Sequence, residues 1–247
     1  MKTSYICSYI IPYSHSRRNL NALKYNINIL LQNPMIEIIV VETGKHSFLK
    51  NQDMKCKHVF VESKKWNLGW LYNIGTRNAS TDKLFFGEMS LVPTIKTIMA
   101  VIQKNTDHGC LYLQDEVVYL NQQQTDKKEL PADLKGEEKA SHGIVYYKYD
   151  DLYKVGTWDE SVFSEDLYVL QDKKNTNLIS SGKVNGIKTY VFDTDKPKIS
   201  DEDSARSSKH LEKVMEAEPQ SLYKYAISNT KKSSNIHKYT ERELMIP

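Results

Sequence analysis

Residues 4–44 read SYICSYIIPYSHSRRNLNALKYNINILLQNPMIEIIVVETG, and the changes of period inside this stretch decide the fold class. Residues 4 to 12 are apolar and β-branched and stop at Pro12, the pattern of a buried strand. Leu20, Leu23, Ile27, Leu30 and Leu31 then recur at helical spacing, with Ser14 or Ser16 as the N-cap and Pro34 beyond the end. Residues 36 to 41, IEIIVV, are too continuously apolar for a half-exposed strand, which puts them in the middle of a sheet covered on both faces. Glu42, Thr43 and Gly44 close that strand.

Working outward, HVFVE at 58 to 62 predicts a third strand, a helical pattern runs from Asn67 to Ala79, and KLFFGEM from Lys83 predicts a fourth strand. This order predicts an α/β layer fold with a mainly parallel sheet. In such sheets function collects at the carboxyl ends of the strands. Further along come a helix at 94 to 104 and a long strand at 110 to 120. The polar stretch at 121 to 142 reads as a solvent-exposed loop or short helix, and its length makes it a functional loop or lid more than an inert connection. GIVYYKY predicts a strand, DDLYKVG a helical turn, EDLYVLQDKKN a helix and GIKTYVF one more strand. Beyond Lys196 the chain is polar, with one helix expected near 204 to 217 and a tail without apolar periodicity. Gly69 and Gly75 inside a helical pattern point to close backbone packing or a broken helix.

The chain has 247 residues, a net charge of +3 and 40% hydrophobic residues, enough for a core that needs no disulfide or structural metal. No apolar run reaches the roughly 18 residues of a membrane span. The N-terminal stretch reads as a core strand, not as a signal peptide. Cys7, Cys56 and Cys110 are odd in number and lack metal-ligand spacing, so we expect free thiols in a reducing compartment and a cytoplasmic location, with peripheral contact at the inner membrane face left open. Lysines and carboxylates are interspersed, which disfavours a nucleic-acid partner without removing it. A homo-oligomer is also left open.

Four acidic residues fall where predicted strands end or a helix begins: Glu42, Glu88, Glu165 and Asp166. Each alone is equally a solvated rim or a helix-terminal charge, with Ser164 as the N-cap in the last case. Together they converge on one rim of one sheet.

Five motifs in order resemble family 2 nucleotide-sugar glycosyltransferases of the GT-A fold, in the branch with chondroitin-polymerase and galactosyltransferase-type domains. They are SYIIPYSHSRRNL within residues 4–20, EIIVVETG at 37–44, WNLGWLYNIGTRNAS at 66–80, LFFGEMSLVP at 84–93 and GIVYYKYDDLYKVGTWDESVFSEDLYVL at 143–170. The resemblance spans about residues 4 to 195, which implies a Rossmann-like α/β three-layer sandwich with a mainly parallel, mixed sheet as the catalytic domain at 1–195, and a helical or extended C-terminal appendage at 196–247.

That resemblance implies a UDP-sugar donor, a glycan or other hydroxyl acceptor, inversion at the anomeric carbon and assistance by Mn²⁺ or Mg²⁺. Asp166 takes the place of the general base and Glu165 that of a group orienting the acceptor. Glu42 would accept from the uracil N–H, with Pro12 and Tyr13 as the wall beside the base. Asn73 and Arg77, four residues apart on one helical face, would both point at the nucleotide, Arg77 at a phosphate. Gly143 would line the donor sugar, with Ser141 and His142 near the acceptor. GTWDE at 156–160 resembles GGWDE, with Thr157 where the second glycine is usual; within it Trp158 either stacks on a sugar or packs in the core, and Asp159 belongs to the donor site. Where the family carries its DxD motif this chain has Glu88, Met89 and Ser90, so Glu88 and Ser90 are the candidate metal ligands, with Asp193, Asp195 and His210 as sources of a second donor. The loss of both aspartates keeps open a degenerate module that binds a nucleotide sugar or glycan without chemistry. Transfer onto a modified nucleic-acid base stands as a third reading.

Overall fold

Strands β1 (Cys7–Ser14) and β2 (Ile36–Gly44) pair in parallel without a break, from Cys7 opposite Ile36 to Ser14 opposite Thr43. Helix α1 (Arg17–Leu30) makes the crossover between them, capped by Ser16, whose hydroxyl accepts the Asn19 N–H at 3.1 Å. The computed structural model describes residues 4–63, 65–104, 107–113, 116–131, 133, 137–138, 143–163, 166–184 and 187–235.

The other strands are β3 (Lys57–Glu62), β4 (Lys83–Phe86), β5 (Cys110–Tyr112), β6 (Glu116–Tyr119), β7 (Glu137–Glu138), β8 (Val145–Lys148), β9 (Ser181–Lys183) and β10 (Lys188–Val191). Seven of them form one sheet in the order β3-β2-β1-β4-β8-β5-β9, and a small second sheet runs β10-β6-β7. In the large sheet β8 runs against both of its neighbours, and the other pairings are parallel. The remaining helices are α2 (Leu68–Asn78), α3 (Ile95–Gln103), α4 (Gln122–Lys127), α5 (Tyr149–Lys154), α6 (Asp166–Leu178), α7 (Asp201–Met215) and α8 (Pro219–Asn235).

The alternation of side chains along the central strands separates two apolar layers. Cys7, Tyr9, Ile11 and Tyr13 of β1 pack with Leu23, Ile27 and Leu30 of α1 and with Ile98 and Val101 of α3. Ile10 faces the other way, together with Ile39 and Val41 of β2, against α2, α5 and α6. Each fully buried aliphatic or aromatic side chain here contributes roughly 1.5–3 kcal/mol from removal of its surface from water. The architecture is therefore the expected α/β three-layer sandwich with a mixed, mostly parallel sheet.

Several local expectations need correction. The single strand expected at 110–120 is two strands in two sheets: Cys110–Tyr112, buried throughout, pairs with β8 and β9, whereas Glu116–Tyr119 pairs with β10 and β7. The fourth strand stops at Phe86, so Glu88 stands in the turn that follows it. The polar 121–142 stretch, by contrast, contains the short helix that is one of its two expected forms: α4, whose capping box joins Asn121 and Gln124. Among the described residues beyond Lys196 there are two helices, not one. Val214 of α7 and Leu222 of α8 belong to the main apolar cluster, and the α8 residue Ala226 is buried. Three buried apolar residues among those described, Val214, Leu222 and Ala226, over two long polar helices give too sparse a stripe for sequence periodicity to register. Gly69 and Gly75 serve close packing in an unbroken helix: a Cβ on Gly69 would overlap the carbonyl of Asp159, and one on Gly75 would meet Ile10. The three cysteines are free thiols. Among the described residues no helix is long and apolar enough to cross a membrane.

Candidate functional site

The carboxyl ends of β1, β2 and β3 open into a cleft of about 300 Å³. Ser14, His15 and Ser16 line it after β1, Thr43 and Gly44 at the end of β2, Ser63, Lys65 and Trp66 after β3, and residues 195 to 198 from far along the chain. Asn19, buried on α1, holds that last segment in place. Its side chain accepts the Asp195 N–H at 3.0 Å and donates to Ser14 O at 2.9 Å and Asp195 O at 3.2 Å. His15 stacks on Phe48 with ring centroids 3.6 Å apart and planes 9° from parallel, and its Nδ1 lies 2.9 Å from the Tyr13 hydroxyl. Three lysines, Lys65, Lys196 and Lys198, face one carboxylate, Asp195, around the cleft, and Arg18 stands 3.8 Å from that carboxylate. Thr43 is 7% exposed and its hydroxyl has no hydrogen-bond partner. A buried, unpaired hydroxyl is costly, so its place on the cleft wall suits a polar ligand group.

The predicted donor-side residues divide. Pro12 and Tyr13 lie on the correct edge but are buried within the sheet layer. Glu42 is fully buried and saturated by its own loop: it accepts from Ser47 Oγ at 2.6 Å and from Phe48 N at 2.8 Å, and His58 Nε2 stands 2.9 Å away. Burial opposes its ionisation, but the His58, Ser47 and Phe48 hydrogen bonds outweigh burial and hold the carboxyl below its ordinary value. Glu42 thus organises residues 47–49 in place of meeting a base. Asn73 is buried and donates to Trp158 O at 2.9 Å and Glu160 Oε1 at 2.8 Å, which makes it a clamp on the GTWDE turn. Arg77 is exposed at the opposite edge of the sheet, since its neighbour Asn78 accepts from Lys57 at the start of β3, and Ser80 N donates to Glu37 near the start of β2. One helical face therefore does not bring Asn73 and Arg77 to a common ligand. A helix running antiparallel to the strands carries its last turn away from their carboxyl ends.

Trp158 is fully buried among Tyr72, Phe86, Tyr147 and Tyr168, so it is a core side chain and no sugar platform. Asp159 is fully buried too, held by Ser161 N at 2.8 Å, by His210 and by the Tyr225 hydroxyl. Thr157 takes the left-handed conformation with φ 59°, which explains why the resembling motif carries glycine at that place. Its carbonyl accepts from the buried Lys174 at 2.8 Å. Gly143 (φ 122°) is buried just before β8, where Val145 faces Phe86 at the end of β4. Asp166 opens α6 on the carboxyl edge, and two residues on Tyr168 donates to Glu88 Oε1 at 2.7 Å. Glu165, with Ser141, His142 and Ser164, lies outside the described residues.

The five candidate metal ligands do not converge. Glu88 takes the Tyr168 hydroxyl, Ser90 gives its carbonyl to Phe192 N at 2.8 Å, Asp193 and Asp195 flank Arg18 at 3.6 and 3.8 Å, and His210 faces Asp159 and Tyr225. A divalent cation needs several hard oxygens aimed at one point. Among the described residues no three His, Cys, Asp or Glu side chains gather in that way. This donor set does not fit Mn²⁺ or Mg²⁺.

Comparison with solved structures places this geometry. The chain superposes on S. aureus TarS with a TM-score of 0.59 at 14% identity, over 96% of this chain and 44% of that one. It superposes on TarS 1–349 in complex with UDP with a TM-score of 0.58 at 14% identity, over 96% of this chain and 72% of that one. The mannosyltransferase PcManGT from Pyrobaculum calidifontis, in complex with GDP-Man and Mn²⁺, gives 0.52 at 12% identity, over 95% and 75%. The fold is GT-A-like. The chain spans less than half of the length of TarS. Family models and curated proteins give no match to the sequence.

Within this GT-A-like frame, His15, Asn19, Lys65, Trp66, Lys196 and Lys198 are the residues that sequence reading did not select. His15 and Trp66 stood inside the quoted motifs without being singled out, but nothing local ties residues 195–198 to the end of β1.

Proposed function

We propose that the protein is a glycosyltransferase that takes its sugar from a nucleoside-diphosphate donor seated in the cleft at the ends of β1, β2 and β3. The observation that carries this reading is the cleft itself: polar, flanked by His15 and Trp66, rich in lysine, and set at the carboxyl edge of a GT-A-like sheet. TarS and PcManGT, similar in fold, have been crystallised with UDP-GlcNAc and with GDP-Man.

In the transfer step the acceptor hydroxyl loses its proton to the Asp166 carboxylate as its oxygen attacks the anomeric carbon. The bond from that carbon to the diphosphate oxygen breaks, and the nucleoside diphosphate leaves with the electron pair. A single displacement of this kind inverts the anomeric centre. Position supports Asp166, which sits half-buried in the first turn of α6. Because Glu42 is occupied by its own loop, UDP and GDP donors belong in the same trial. The acceptor is a glycan or another hydroxyl compound.

The test is release of UDP or GDP from a panel of nucleotide sugars by the purified protein, with calorimetry of the same compounds. Neither release nor binding across the panel would sink the proposal. The dispersed carboxylates favour a second reading, a nucleotide-sugar binding module, which predicts saturable binding with no release in any acceptor or divalent-ion condition.

A further inference from the structure

We propose that the diphosphate of the donor is neutralised by lysine ammonium groups, Lys196 and Lys198 with Lys65, in place of a divalent cation. This rests on the reading of the cleft as a nucleoside-diphosphate site. A departing nucleoside diphosphate carries at least two negative charges, and something at the site must offset them. The candidate carboxylates do not gather at the cleft: Asp195 lines it, 3.8 Å from Arg18, whereas Glu88 meets Tyr168, Asp193 stands 3.6 Å from Arg18, and Asp159 meets His210 and Tyr225.

The cleft offers positive charge directly. Lys196 and Lys198 follow Asp195, whose backbone Asn19 pins across the end of β1, and both have exposed side chains that line the opening. Lys65 enters from the β3 side, its ammonium 3.1 Å from Asp203 on α7, and Asp203 also holds Arg206. The N-terminus of α1 opens at Ser16 on the same cleft with no acidic residue in its first turn, which leaves its partial positive charge uncompensated by sequence neighbours. The buried, unpartnered hydroxyl of Thr43 supplies a neutral polar contact on the wall between them. Ammonium groups serve here as mobile point charges that make charge-assisted hydrogen bonds to phosphate oxygens.

The experiment is calorimetric titration of the full chain with UDP and with GDP, in EDTA and again in excess Mn²⁺, at several salt concentrations. The expected result is a Kd that agrees between EDTA and Mn²⁺ within about threefold and weakens steeply with salt. Lys196→Ala with Lys198→Ala, both on exposed side chains, should weaken binding at least about tenfold in EDTA and flatten the salt dependence, while the double Arg variant retains most of the affinity. Binding abolished by EDTA and restored by Mn²⁺ would overturn the lysine assignment and leave the donor reading standing. An unchanged Kd in the double Ala variant would do the same. Binding of neither nucleotide in either condition would remove both.

Discussion

Nε2 of His210 lies 3.2 Å from Oδ2 of Asp159, a contact across 51 residues that fastens α7 to the GTWDE turn. Tyr225 of α8 donates to the same oxygen and stands 2.7 Å from the same imidazole nitrogen. Nearby, Asn229 of α8 donates to Gly156 O at 2.6 Å, and Gly156, at φ 83°, leaves no room for a Cβ beside the Ala226 backbone. The polar C-terminal helices are thereby bound to the turn that leads into α6 and Asp166.

Removal of this hub should destabilise the fold strongly. Asp159→Ala deprives buried Lys174 of its nearby negative charge and takes the carboxylate acceptor from Ser161 N, His210 and Tyr225, an expected loss of about 3–5 kcal/mol. His210→Ala removes one neutral or charge-assisted bond and should cost about 1–2 kcal/mol. Urea unfolding of the two variants measures the difference, and equal small losses would contradict the hub.

Acid stability should carry the signature of the same carboxylate. Burial opposes ionisation of Asp159, but hydrogen bonds from His210, Tyr225 and Ser161 and the charge of Lys174 outweigh it and lower the pKa from 3.8 to about 2. A folded value below the unfolded one means that the unfolded chain binds the proton first. The stabilisation, about 2 kcal/mol, is therefore complete above the unfolded value and lost as pH falls through the folded one. Urea midpoints across that acid range should fall in the parent, and Asp159→Asn should remove this part of the slope.

Glu42→Gln tests the loop after β2. The substitution keeps the size of the side chain but removes the charge that accepts from Ser47, Phe48 and His58. A loss of about 1–3 kcal/mol is expected, with faster amide exchange at Phe48 and Leu49. Unchanged exchange at those two amides would show that the carboxylate does not hold the loop.

Asp166→Asn separates chemistry from donor binding. Turnover should fall by about 10²–10⁴ while the Kd for the nucleotide diphosphate stays close to that of the parent. Parallel loss of both would place Asp166 in the donor site and leave the proton without its acceptor.

The order of elements and the parallel core were legible in the sequence because periodicity is local. The runs at β1 and β2 and the apolar stripe of α1 carry their own period, and a right-handed crossover follows from it. Partner choice was not legible. A carboxylate that ends a strand has the same local sequence whether it meets a ligand or the N–H groups of its own loop, as Glu42 does. Trp158 in a family-like motif reads alike on a surface and in a core, and only the closure of Tyr72, Phe86, Tyr147 and Tyr168 around it decides. The cleft draws on four segments, after β1, at β2, after β3 and at 195–198, and no window of sequence contains their meeting. The sequence by itself determined the frame and the edge on which function gathers. The tertiary structure decided which charges face that edge, because hydrogen bonds and ion pairs act over a few ångströms between residues that only folding brings together.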